Sequence, residues 1–72
     1  MKDLVFNVRI GAELRRHRGD QKQIVVARKA GITQASLSFY ENGKRGIPLE
    51  IASRLAQELD FSLDDLLARA AS

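Results

Sequence analysis

Within "TQASLSFYENGKR", residues 33 to 45, Gln34, Ala35, Ser38 and Phe39 share one face of a helix. Leu37 and Tyr40, three apart, fall on the other and suit a core. The first face has no formal charge, in a chain where 29% of residues are charged. An ordinary solvated face would carry Lys and Glu. Gln sets a donor beside an acceptor and suits the N6/N7 edge of adenine. Ser donates or accepts, and Ala and Phe give apolar contact to a thymine methyl. An acid there would be repelled by phosphate, and a Lys would bind any sequence. The chemistry of the face is therefore base-edge recognition, bordered by Lys22, Lys44 and Arg45, which can grip phosphates.

The elements needed to position that face are legible around it. Ile10, Leu14 and His17 follow helical spacing, with Arg15, Arg16 and Arg18 between them. Asn7 has the chemistry to cap this first helix and Gly19 to end it. His17 is expected to pack on the helix seam. Helix two is expected from about Lys22 to Ala30, with Val26, Ala27 and Ala30 inward, and Gly31 stops it. Ile32 plugs the turn, Thr33 caps helix three, and that helix spans about Gln34 to Glu41. Asn42-Gly43 closes it.

After a basic loop from Lys44 to Ile47, Pro48 suits the start of helix four, which carries Leu49, Ala52, Leu55, Ala56 and Leu59. Ser62 with Asp65 opens helix five, whose apolar stripe is Leu63, Leu66, Leu67 and Ala70. No strand, repeat or low-complexity tract is evident. The expected fold class is all-α: one domain over residues 1–72, a compact bundle of five short helices with a helix-turn-helix at about 22–41.

Charge is divided along the chain. Residues 9 to 45 hold nine Lys or Arg against three acids, net +6, whereas the remainder holds three against six, net −3. A basic N-terminal two-thirds joined to an acidic C-terminal third suggests a polyanion on one side only. With no Cys and one His, disulfides and a structural zinc are excluded, and no metal or other cofactor is expected. "LVFNV" is too short for a signal peptide, and no apolar run nears the roughly 20 residues of a membrane span. A cytoplasmic protein is expected. The end at Ala70-Ala71-Ser72 suits either a complete small protein or the DNA-binding part of a longer one.

"IGAELRRHR", "QIVVARKAGITQASLSFYENGK" and "LAQELDFSLDDLL" occur in an order and spacing that resemble the Cro and lambda-repressor type, or Xre-like, helix-turn-helix family. The resemblance covers about residues 8 to 67. It implies that Gln23 touches phosphate while packing on the next helix, and that Gln34 contacts adenine. It implies that Ala35, Ser38 and Phe39 face the groove and that Ser36 bonds to phosphate. Asn42, Lys44 and Arg45 match a backbone-binding loop, and Arg16 with Glu41 matches a structural charged pair. Two departures stand out: Lys22 occupies a position that is usually a helix cap, and Ile24 and Val25 fall where polar residues are usual.

The expected function is a DNA-binding transcriptional regulator, most simply a repressor. One helix reads too few base pairs, so a homodimer on a palindrome is expected. The helix-five region, with Phe61, Leu63, Leu66 and Leu67, is the candidate dimer contact. Catalysis is not expected: there is no Gly-rich loop after a strand, and Asp64-Asp65 suits a helix first turn. The alternative is an antitoxin or controller-type protein-interaction module, using Ile24, Val25 and Phe39 against a toxin or RNA polymerase.

Overall fold

The computed structural model describes residues 2–71, with side chains from Val5 onward. The helices are α1 (Lys2–Arg18), α2 (Gln23–Ala30), α3 (Gln34–Glu41), α4 (Leu49–Leu59) and α5 (Leu63–Ala71), and no strand occurs among the described residues. No helix among them is long and apolar enough to cross a membrane.

One core joins all five helices: Ile10 and Leu14 from α1, Val26, Ala27 and Ala30 from α2, Leu37 and Tyr40 from α3, Leu55 from α4, and Leu66 and Ala70 from α5. Ile32, from the α2–α3 turn, packs against it. Each core residue recurs at three- or four-residue spacing on its helix, so burial follows helical period. α1 lies between α3 and α5, while α2 packs on α3 and α4.

α1 begins earlier than expected. Asn7 is not its cap but an interior residue whose side chain lies against Gly46. Nothing in residues 2–6 is a Pro or Gly to break a helix, and an interior Asn costs only a fraction of a kcal/mol. Leu49 also departs from expectation: it is 71% exposed, because the inward face of α4 runs through Ile51, Ala52, Leu55 and Leu59.

The turn between α2 and α3 depends on Gly31, at φ 74°, ψ 28°, a left-handed conformation that glycine adopts without a Cβ clash. The N–H of Gly31 donates to the Arg28 carbonyl and that of Ile32 to the Ala27 carbonyl, at 3.1 and 2.9 Å, so both close the end of α2. Thr33 then caps α3, its Oγ1 accepting the Ser36 N–H at 3.0 Å.

Gly11 permits a second close approach. A Cβ there would stand 2.4 Å from the carbonyl oxygens of both Tyr40 and Glu41. The backbone of α1 therefore lies directly on the C-terminal end of α3.

Candidate nucleic-acid interface

α3 divides as its spacing requires. Leu37 and Tyr40 are in the core, whereas Gln34 and Ala35 are exposed, Phe39 is at the margin of exposure and Ser38 is half-buried. The Gln34 amide makes no hydrogen bond to other described residues, so its donor and acceptor are available. Ser36 is half-buried, and its Oγ receives a hydrogen bond from Thr33 Oγ1 at 3.0 Å.

The Phe39 ring carries the Arg45 guanidinium 4.8 Å from its centroid. That stacking holds the ring on the surface with the charge next to it. Lys22, Lys44 and Arg45 are all exposed. Lys22 occupies the N-cap of α2 without a capping hydrogen bond, so the first turn of α2 keeps unsatisfied N–H groups beside a cation, an arrangement that favours anions.

Glu41, at the end of α3, is the buried charge that holds the arrangement together, its side chain 1% exposed. Arg18 grips it with two nitrogens, Nε to Oε2 at 2.6 Å and Nη2 to Oε1 at 2.9 Å, and its Nη1 donates to the Gln21 carbonyl at 2.8 Å. Gln23 Nε2 donates to Glu41 Oε1 at 2.8 Å. Burial alone would push the Glu41 carboxyl up. The hydrogen bonds from Arg18 and Gln23, and the charges of Arg18 and Arg15, outweigh it and hold the group below its ordinary value. No buried side-chain nitrogen or oxygen among the described residues lacks a partner.

The expected partnership of Arg16 with Glu41 is thus corrected: Arg18 is the partner. Arg16 instead donates to Glu13 Oε1 at 2.8 Å, on the flank where Arg69 of α5 comes within 4.0 Å of the same oxygen. Two residues on a helix are about 200° apart, so Arg16 and Arg18 face opposite neighbours. Arg15, three before Arg18, does face α3 and lies 3.8 Å from Glu41. Gln23 has its amide turned inward to the carboxylate, leaving one Nε2 hydrogen for any phosphate.

Asn42 is held at both ends. Its Oδ1 accepts from Arg15 Nη2 at 2.8 Å, and its Nδ2 donates to the Ser38 carbonyl at 2.8 Å. Sequence reasoning missed this link, and it missed Gly11. A glycine two residues before Glu13 carries no sign of which backbone will meet it.

The dimer candidates separate. Leu66 is 1% exposed in the core, so it meets a partner at most as the floor of the groove beside Leu67. Phe61 stacks on His17, centroids 4.5 Å apart and planes at 21°, and burial holds the His17 imidazole below its ordinary pKa. Leu63 is half-buried, and only Leu67 is exposed. It borders an apolar groove of about 170 Å³ lined also by Phe6, Ile10, Ile47 and Leu49. No three metal-ligating side chains gather among the described residues.

The model of the helix-turn-helix family matches residues 12–66, which contain both helices of the motif and the whole of the Glu41 cluster. A solved structure, the clp gene regulator ClgR from C. glutamicum, is similar at 26% identity with a TM-score of 0.83, over 92% of this chain and 88% of that one. No curated protein sequence matches the chain.

Proposed function

The chain belongs to the Xre and lambda-repressor-like helix-turn-helix family of DNA-binding transcription regulators, and on that premise we propose that it is a repressor that reads a palindromic operator as a homodimer. The observation that carries this reading is the outward face of α3. Gln34 offers an unspent amide, Ala35 and Phe39 offer apolar surface, and exposed cations stand on both sides. In this reading α3 enters the major groove and Gln34 takes an adenine edge. Ala35 and Phe39 meet thymine methyls. Ser36, Gln23, Lys22, Lys44 and Arg45 hold the phosphates that fix register, while Asn42, its amide spent on Arg15 and Ser38, orders the end of α3.

A single helix samples too few base pairs for a unique address. A two-fold dimer brings two such helices to one face of the duplex, roughly 34 Å apart. Leu67, exposed beside the groove between α1, α4 and α5, is the proposed centre of the dimer contact. A dimer seated on promoter DNA represses by excluding RNA polymerase. The structural similarity to a gene regulator supports a regulatory role.

A second reading draws on Ile24 and Val25, which are 43% and 39% exposed on α2. These exposed apolar side chains, with Phe39 exposed on α3, suit a protein partner, as in an antitoxin or controller.

Selection of bound duplexes from a random DNA pool, at about 150 mM salt, separates the two. Enrichment of a palindrome with half-sites about one helical turn apart is the expected result. Absence of any enrichment overturns the operator-binding reading and favours the protein partner.

A further inference from the structure

The Ser38 hydroxyl meets a base edge with its two polarities unequally available. Arg15 Nη2 stands 2.8 Å from one end of the Asn42 amide. A guanidinium only donates, so the end facing it is the carbonyl oxygen, and the orientation of the amide follows. The amide nitrogen then points back at α3. It donates to the Ser38 carbonyl at 2.8 Å and to Ser38 Oγ at 3.3 Å. Ser38 Oγ is therefore an acceptor toward Asn42. Its own hydrogen has no acceptor among the described residues and is left for the outward side. The row starts from a charged donor, and each member polarises the next, so the outward O–H is a stronger donor than an isolated serine. Arg15 is anchored in turn by Glu41, at 3.8 Å.

We propose that Ser38 reads its base pair as a hydrogen-bond donor, its polarity set through Asn42 by Arg15. The inference rests on the DNA-reading role of α3 proposed above. The ligand is an acceptor on the major-groove edge: a purine N7, guanine O6 or thymine O4. The exocyclic amines of adenine and cytosine, which only donate, are disfavoured at that position, because they meet only the one lone pair that Asn42 leaves on Oγ. Ser38 touches the base, while Asn42 and Arg15 are positioning residues. In this arrangement Asn42 serves specificity in place of the phosphate contact, its amide being spent on Arg15 and Ser38.

Selection from a random pool with the wild-type protein and with Ser38→Ala identifies the base pair whose preference depends on Ser38. Anisotropy titrations on duplexes differing only there then give the preference as a ratio of affinities. The wild-type protein is expected to favour the acceptor edge by roughly three- to tenfold, the worth of one hydrogen bond. Asn42→Asp keeps an acceptor for Arg15 but removes the donor to Oγ. The Ser38 hydroxyl then donates inward and turns a lone pair to the groove. Preference is expected to invert toward an exocyclic amine, even though the added negative charge weakens binding to every duplex. Adding Ser38→Ala to that variant abolishes the inversion. Arg15→Met, which frees the amide to turn, is expected to bring the ratio toward one, with circular dichroism melting confirming that each variant is folded.

Uniform weakening by Asn42→Asp and Arg15→Met with an unchanged ratio overturns the relay. So does a selection in which Ser38→Ala alters no base preference. If the wild-type protein enriches no sequence, the DNA-reading role itself fails and this inference falls with it, which keeps the two failures distinguishable.

Discussion

Arg18 at the end of α1 and Glu41 at the end of α3 form a two-pronged ion pair, 2.6 and 2.9 Å, with the carboxylate buried. It is the fastening between α1 and α3, the second helix of the motif, which presents Gln34 and Ala35 outward. A charge this deep is costly unless it is paired and hydrogen-bonded, and here Gln23 of α2 supplies a third bond. All three helices around the site thus meet at one carboxylate.

Removing the Arg18 side chain leaves that carboxylate uncompensated. Arg18→Ala is expected to destabilise the domain by about 3–5 kcal/mol. Arg16→Ala removes an exposed pair with Glu13 and is expected to change stability by less than about 0.5 kcal/mol. Urea unfolding of the two variants checks the ranking, and a larger loss for Arg16 would contradict the assignment.

Stability should fall with acid in two stages of the same sign. His17 has a folded pKa below its ordinary 6.5, so below that value the unfolded chain binds more protons and stability declines as pH falls. Glu41 likewise titrates below its ordinary 4.5, so its contribution is complete above that pH and is lost as pH falls through the lower folded value. Thermal melts across pH 3 to 8, roughly the range spanned by these ordinary values, should show both declines. His17→Gln should remove the upper one only.

Gly11→Ala adds a single methyl group where the carbonyls of Tyr40 and Glu41 already stand 2.4 Å away. Backbone cannot rotate aside as a side chain can. The cost is expected to be at least about 1–3 kcal/mol, although alanine is the better helix former. A higher melting temperature for the variant would show that α1 and α3 are not in this contact.

Gln34→Ala should weaken binding at the selected site by about 1–3 kcal/mol and relax preference at one base pair. Lys44→Ala should weaken every sequence alike and reduce the slope of log affinity against log salt by about 1. Titrations on cognate and scrambled duplexes at several salt concentrations distinguish these effects. Equal loss on all duplexes for Gln34→Ala would remove its base-reading role.

Leu67→Lys puts a charge on the exposed edge of the apolar groove without touching the core. Expected are an unchanged melting temperature, loss of the dimer in analytical ultracentrifugation, and binding to half-sites only. A dimer that persists in the variant moves the contact elsewhere.

Much of this protein is decided by short-range physics and is readable in one dimension. Gly31, Ile32 and Thr33 specify the turn because a left-handed glycine, an apolar plug and a capping hydroxyl act on their own neighbours. The same holds for the bounds of α3, for Leu37 and Tyr40 inward, and for Ser62 accepting the Asp65 N–H at 3.3 Å. The uncharged outer face of α3 follows from helical period alone. Tertiary structure decided what identical chemistry along the chain leaves open. Arg15, Arg16 and Arg18 are equal as cations, and only the crossing of α1 over α3 at Gly11 selects Arg18 for Glu41 and Arg15 for Asn42, leaving Arg16 to Glu13 on its own helix. Leu66 and Leu67 are equal as apolar residues, and the seat of α5 on α1 buries one and exposes the other. The Asn42 amide has two orientations in the sequence and one in the fold, with its nitrogen toward Ser38, because a guanidinium 27 positions earlier can only donate.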